Sequence, residues 1–149
     1  MKKNNIIADL IVWLDENLEN TLNVKVIAKK AGYSRWHIQR MFRQHTGFSL
    51  MSYVNLMRLC RAADLLEFTD MPIIDISFKY NFDTQQSFTR AFRGRFNTTP
   101  AKYRKTIKEK SNTSNYHIPD HNTINHTLRH YVSQSEFILE ILSKEEDEM

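Results

Sequence analysis

The chain has little that bends, cross-links or crosses a membrane. Three glycines and three prolines in 149 residues, beside long periodic stretches of Leu, Ile, Met and Phe, favour an all-α fold. The single cysteine, Cys60, excludes an internal disulfide and fits a reducing cytosol. It sits in the apolar pattern of a helix, so it reads as core packing rather than a redox group. No run approaches the ~18 apolar residues that a membrane span needs, so no membrane partner is expected. The first twenty residues open on two lysines, but Asp9 and Asp15 break the apolar run and no small-residue cleavage site follows. A secretory signal is therefore not expected. A Gly-rich phosphate loop and paired carboxylates at a useful spacing are both missing, so no enzyme is expected.

What is there is a globular composition, 41% hydrophobic and 11% aromatic, at a length of about one domain. The net charge of +4 averages two unlike regions. Residues 1–110 carry 19 Lys and Arg against 10 Asp and Glu, a net +9, and residues 111–149 carry 2 against 7, a net −5. A body this basic suits a polyanionic partner, whose phosphates release counterions when Lys and Arg neutralise them. Charge alone is equally compatible with ordinary solubilisation.

Pattern separates these readings. Ile38, Arg40, Phe42, Arg43 and Tyr53 match Phe88, Arg90, Phe92, Arg93 and Tyr103 in type at an offset of 50. Val24, Ile27, Ala28, Gly32 and Tyr33 match Ile73, Ile76, Ser77, Asn81 and Phe82 at an offset of 49. The one-residue difference falls in the turn, where a loop absorbs it. The chain thus holds the same helix-turn-helix pattern twice, and two such units can fill two successive major-groove segments of DNA without a dimer partner.

Periodicity predicts seven helices. The first runs from about Asn5 to Asn17, with Ile7, Leu10, Ile11, Leu14 and Leu18 at helical spacing. Asn23 caps the second, whose inward face is Val24, Ile27, Ala28 and Ala31, and Gly32 supplies its left-handed stop. Ser34 caps the third, RWHIQRMFRQHT, which ends near Gly47. Ser49 caps a longer fourth helix from Leu50 to about Glu67, with Leu50, Tyr53, Val54, Met57, Cys60, Ala63 and Leu66 inward. Pro72 fits the first turn of the fifth, which ends at Asn81. Asp83 or Thr84 caps the sixth, QQSFTRAFRGRF, and Thr99 and Pro100 start the seventh, AKYRKTIKEK. The expected organisation is an N-terminal helix-turn-helix subdomain over 1–48, a linking helix over 49–67, a C-terminal subdomain over 68–110, and a polar linker with an acidic tail over 111–149. Within that tail Ile124, Leu128, Val132, Leu139 and Leu142 suggest a further helix at about 124–144.

The second helix of each unit is the one that would meet base edges. In the third helix Ile38, Met41 and Phe42 form the inward stripe, and Trp36, Gln39, Arg40 and Arg43 share the opposite face. In the sixth, Phe88, Phe92 and Phe96 point inward while Gln86, Thr89, Arg90 and Arg93 face out, with Gln85 near the tip. An Arg fork matches the two acceptors of guanine, Gln matches the adenine edge, and Trp or Thr packs a thymine methyl. Arg40 and Arg90 are the strongest candidates for specificity. Ser34, Arg35, Thr84, Arg95, Lys102 and the helix N-termini are better placed to hold phosphates. An Arg and a Gln on one exposed helix would mean little. An exposed Trp36 beside two arginines, and a second copy with Arg90 matching Arg40, make double-stranded DNA the expected partner. A linking helix of about 27 Å, plus the width of the flanking packing, can bring the two reading helices near the ~34 Å between adjacent major-groove faces. The faces differ in sequence, so the site should be asymmetric and cover roughly two turns.

The stretches AGYSRWHIQRMFRQHTGFSL and YNFDTQQSFTRAFRGRFNTTPAKYR resemble the two reading units of the AraC/XylS family of bacterial transcription regulators, and most closely its small MarA/SoxS/Rob-type members. The likeness covers about residues 5–106. Asn81 and Asn97 stand where the family usually has Gly, and Asn is the next-best residue for a left-handed turn. The resemblance implies a monomer that binds DNA constitutively in the bacterial cytoplasm, at the nucleoid, without a ligand-binding domain. It also implies activation through contact with RNA polymerase at promoters for drug efflux, antibiotic resistance and oxidative-stress defence.

The tail holds His117, His121, His126 and His130 in two i,i+4 pairs, a spacing that chelates a metal on a helix. Pro119 interrupts the first pair and no cysteine accompanies them, so a polar linker is the expectation, with no metal or other cofactor. Two rival functions remain. A helix-turn-helix protein-interaction module gives no reason for Arg and Gln on both faces, and a non-specific nucleoid protein loses affinity uniformly with salt.

Overall fold

The computed structural model describes residues 3–113. The described residues form seven helices and no strand: α1 (Lys3–Glu16), α2 (Val24–Ala31), α3 (Arg35–Thr46), α4 (Leu50–Phe68), α5 (Ile73–Lys79), α6 (Gln85–Phe96) and α7 (Pro100–Thr113). The fold is all-α, and no described helix is long and apolar enough to cross a membrane. The chain divides into two compact units inside α4, between Met57 and Arg58. The histidine pairs and the helix expected at about 124–144 lie outside the described residues.

The first unit packs α3 against α1 and α2. Ile7, Leu10 and Leu14 of α1, Ile27 and Ala28 of α2, and Ile38, Met41 and Phe42 of α3 are all buried. Each fully buried large side chain removes apolar surface worth about 1.5–3 kcal/mol. The ring of Phe42 meets Tyr53 of α4 edge-on, with centroids 5.4 Å apart. Asn23 caps α2 by accepting from the Val26 N–H at 2.8 Å. Gly32 then ends α2 at φ 78°, in the left-handed region. The Tyr33 N–H reaches back to the Ala28 carbonyl, which closes a Schellman-type end and aims the chain into α3.

The second unit repeats this plan in aromatic residues. It packs α6 against α5 and α7, and Phe88 and Phe92 are fully buried. A chain of ring contacts runs from Phe82 through Phe88 and Phe92 to Tyr103 of α7, with centroid separations of 5.2, 5.8 and 5.4 Å. The Phe82 N–H donates to the Ser77 carbonyl at 3.0 Å, the counterpart of the Tyr33 to Ala28 bond. Asn81 and Asn97 adopt φ 61° and 57° and occupy the repeat positions of Gly32 and Gly47. All four left-handed turns of the duplicated pattern are therefore made, two by glycine and two by asparagine.

α7 is anchored to the end of α4. Arg104 Nε donates to the Leu66 carbonyl at 3.1 Å, and its Nη2 reaches the Leu65 and Thr69 carbonyls at 3.4 and 3.2 Å. Beside it Lys108 pairs with Asp70. One cation thus gathers carbonyls from the last turn of α4 and the residue just past it, adding to the Thr69 N–H and hydroxyl that already donate to Leu65.

Several helix ends differ from the sequence expectation, α1 among them, which runs Lys3–Glu16 rather than from about Asn5 to Asn17. α5 stops at Lys79 rather than Asn81, because Tyr80 already leaves helical geometry before the left-handed Asn81. Pro72 precedes α5 as its cap rather than lying in its first turn. α7 runs three residues past Lys110 to Thr113, since no proline or glycine intervenes and Ser111 Oγ bonds back to the Lys108 carbonyl.

Candidate nucleic-acid interface

α3 and α6 each have one face locked in a core and one face open. In α3 the inward Ile38, Met41, Phe42 and Thr46 are buried. Trp36, Gln39, Arg40 and Arg43 are exposed, Trp36 to 66%. In α6 Phe88 and Phe92 are buried and Phe96 is half-buried. Gln85, Gln86, Arg90 and Arg93 are exposed on the outer side, and Thr89 is half-exposed. The nine side chains assigned to base reading thus fall into two outward sets, each on the second helix of its own unit.

The helix starts are built alike. Ser34 Oγ accepts from the His37 N–H at 3.2 Å. Thr84 Oγ1 accepts from the Ser87 N–H at 3.0 Å while Ser87 Oγ accepts from the Thr84 N–H at 3.2 Å, a reciprocal capping box. As acceptors, Ser34 and Thr84 each keep a hydroxyl proton to donate. Neither α3 nor α6 has an acidic residue in its first turn, and among the described helices only α5 has one. Acids are the residues that the helix dipole favours there. Their absence leaves the positive end of α3 open to an anion, while at α6 the exposed Asp83 stands directly before the Thr84 cap.

Of the cations assigned to phosphate, Arg35 and Lys102 are exposed. Arg95 is placed differently: it is half-buried, and its Nε and Nη2 are buried without a hydrogen-bond partner. Position in the helical pattern accounts for this, because Arg95 comes three residues after Phe92 and seven after Phe88, on the inward stripe of α6.

One contact organises the first face. The Arg40 guanidinium carbon lies 5.1 Å from the centroid of the Trp36 ring. His37 lies beside that ring at 6.4 Å and takes the edge of Tyr33 at 5.0 Å. Tyr33 and His37 are therefore part of the surroundings of the face, although the sequence pattern assigned only Trp36, Gln39, Arg40 and Arg43 to it. The signal for them was a pair of rings flanking Trp36 with no apolar face to fill.

The same architecture occurs in known proteins. The AdpA DNA-binding domain, solved in complex with a target DNA, superposes with a TM-score of 0.69 at 25% identity, over 72% of this chain and 97% of that one. The Transcriptional regulator Rob of Salmonella typhimurium is 41% identical over 128 residues, 81% of this chain and 44% of Rob, so the chain spans less than half of that relative. The Regulatory protein SoxS of Escherichia coli is 46% identical over 104 residues, 70% of this chain and 97% of SoxS. A helix-turn-helix domain family matches residues 27–106, from α2 into α7. With both reading units inside that match, the chain belongs to the AraC-type helix-turn-helix family of transcription regulators, in the branch that contains Rob and SoxS.

Proposed function

We propose that this protein is a sequence-specific regulator that binds double-stranded DNA as a monomer, with α3 in one major groove and α6 in the next. The observation that carries this reading is the repeated exposed face, with Trp36, Gln39, Arg40 and Arg43 on one helix and Gln85, Gln86, Thr89, Arg90 and Arg93 on the other. Arg40 and Arg90 read guanine through its O6 and N7. The glutamines read adenine, and Trp36 and Thr89 pack thymine methyls. Ser34, Arg35, Thr84, Lys102 and the N-termini of α3 and α6 hold the flanking phosphates and set the register. Arg95 joins them only by swinging its guanidinium out of its half-buried site.

The protein acts in the bacterial cytoplasm as an activator of stress-defence and drug-resistance promoters, through contact with RNA polymerase. The identity to SoxS over nearly that whole relative supports this role.

The test is selection from a random DNA library with wild type, Arg40→Ala and Arg90→Ala in parallel. The expected result is an asymmetric site of about two turns, with each variant relaxing one half by about tenfold, within the ~1–3 kcal/mol of a bidentate contact. Enrichment of no sequence, or a pattern that neither variant alters, overturns the assignment.

A further inference from the structure

The two reading helices carry equivalent arginines in unlike settings. Arg40 lies over the ring of Trp36, four residues earlier on the same helix, at 5.1 Å. That ring is flanked by His37, which in turn meets Tyr33. At the matching positions of the second unit stand Gln86 for Trp36, Ser87 for His37 and Phe82 for Tyr33. Ser87 is used in the capping box of α6, and Phe82 turns inward onto Phe88. Among the described residues no ring lies under the guanidinium of Arg90, because Gln86 has none to offer.

The physical difference is one of preorganisation. A free Arg side chain samples many rotamers and must give them up to form a two-pronged bond with guanine. A guanidinium held over an indole face has already lost part of that freedom. Trp36 is 66% exposed, so its ring is not there to fill a core.

We propose that Trp36 is a positioning residue, a shelf that fixes the Arg40 guanidinium in the free protein, so that the base pair read by Arg40 is discriminated more sharply than the one read by Arg90. This rests on the reading of α3 and α6 as the DNA-reading helices. The protein's site then has a stringent half and a tolerant half, and the boundary between them lies in the difference between Trp36 and Gln86.

The experiment has two arms on the full chain. In the first, random-library selection compares wild type, Trp36→Phe, Trp36→Leu and Gln86→Trp. Phe keeps a ring face; Leu keeps apolar surface for a thymine methyl but no ring. Trp36→Leu is expected to lower the preference at the Arg40 base pair by about two- to fivefold, the range of an exposed cation–π contact. Trp36→Phe should restore most of it, and Gln86→Trp should sharpen the Arg90 base pair. In the second arm, NMR of the free protein reads the ring-current shift of the Arg40 side-chain protons, which should be present in wild type and Trp36→Phe and lost in Trp36→Leu. Equal selectivity of the Phe and Leu variants overturns the proposal, and so does a wild-type Arg40 without a ring-current shift. If the shift is present but wild type enriches no sequence, the shelf exists without a selective role. The reading of the protein as sequence-specific then falls, and the proposed discrimination with it.

Discussion

At the residue scale, the duplicated pattern makes the same backbone demand with different side chains. Gly32, Gly47, Asn81 and Asn97 all hold a positive φ between 57° and 78°, yet only two of them lack a Cβ. A non-glycine L residue pays about 1–2 kcal/mol in this region, and Asn tolerates it best because its short amide bonds to the local backbone. Replacing Asn97 by Ala should therefore destabilise the second unit by about 1 kcal/mol, whereas Asn97→Gly should leave it unchanged or slightly firmer. Thermal unfolding of the two variants beside wild type gives the answer, and a loss with Gly as large as with Ala would show that the Asn side chain is used for something else. Thr84 offers a second check. Its hydroxyl and that of Ser87 satisfy two N–H groups at the start of α6, so Thr84→Ala should cost about 1 kcal/mol in a chemical denaturation midpoint.

At the scale of elements, α4 and α7 are held by groups far apart in sequence. Arg104 carries three bonds to the carbonyls that end α4, and charge-assisted bonds of this kind are worth more than neutral ones. Arg104→Ala should lower stability by about 2 kcal/mol and speed amide exchange in the last turn of α4 before it does so in α3. Two carboxylates nearby act in the opposite sense. Burial raises the pKa of Asp64, with Arg61 partly opposing, and burial together with the charge of Asp64 raises that of Glu67. A raised folded pKa favours the fold below the unfolded value, and that contribution disappears as pH rises through the folded value. Glu67→Gln should accordingly gain stability over wild type near neutral pH, with the gap closing as pH falls through the carboxylate range. Asp70 runs the other way: its pKa is lowered by the hydrogen bond and charge of Lys108, so the stability it lends above the ordinary carboxylate value is lost on acidification. Helix positions were legible where apolar spacing coincides with a capping side chain and a left-handed stop, as at the two ends of α2, α3 and α6. Long-range polar contacts were not. Nothing in the periodicity of α7 points to Arg104 as a cap for a helix 35–39 residues earlier. Nor does it show Arg58 among the buried residues of α4, since a lone arginine in a helix is by default solvated.

At the scale of the whole molecule, affinity and selectivity have separate sources, and salt tells them apart. The +9 carried by residues 1–110 acts on any phosphate backbone, and each neutralised phosphate adds about 0.9 to the slope of log affinity against log salt. Base reading by Arg40 and Arg90 adds a difference between sequences on top of that common term. The composition made the first source visible; the second needed the repeat, because one polar helix face is unremarkable while two in register are not. Lys102 is exposed at the start of α7, three residues after the capping Thr99, and contributes no base-reading group. Lys102→Ala should weaken binding to every DNA alike and reduce the salt slope by about 1, leaving the preferred sequence as it was. Arg40→Ala should instead erase the preference at one base pair. Binding isotherms on the selected site and on a scrambled duplex, each at several salt concentrations, separate the two behaviours. If both variants lost affinity equally on both duplexes, charge alone would account for binding, and the protein would be a general coating of the nucleoid. If neither lost any, the open faces of α3 and α6 would belong to a protein partner. The paired outcome, one variant shifting the slope and the other the selectivity, requires that phosphates position these helices and that bases are read by them.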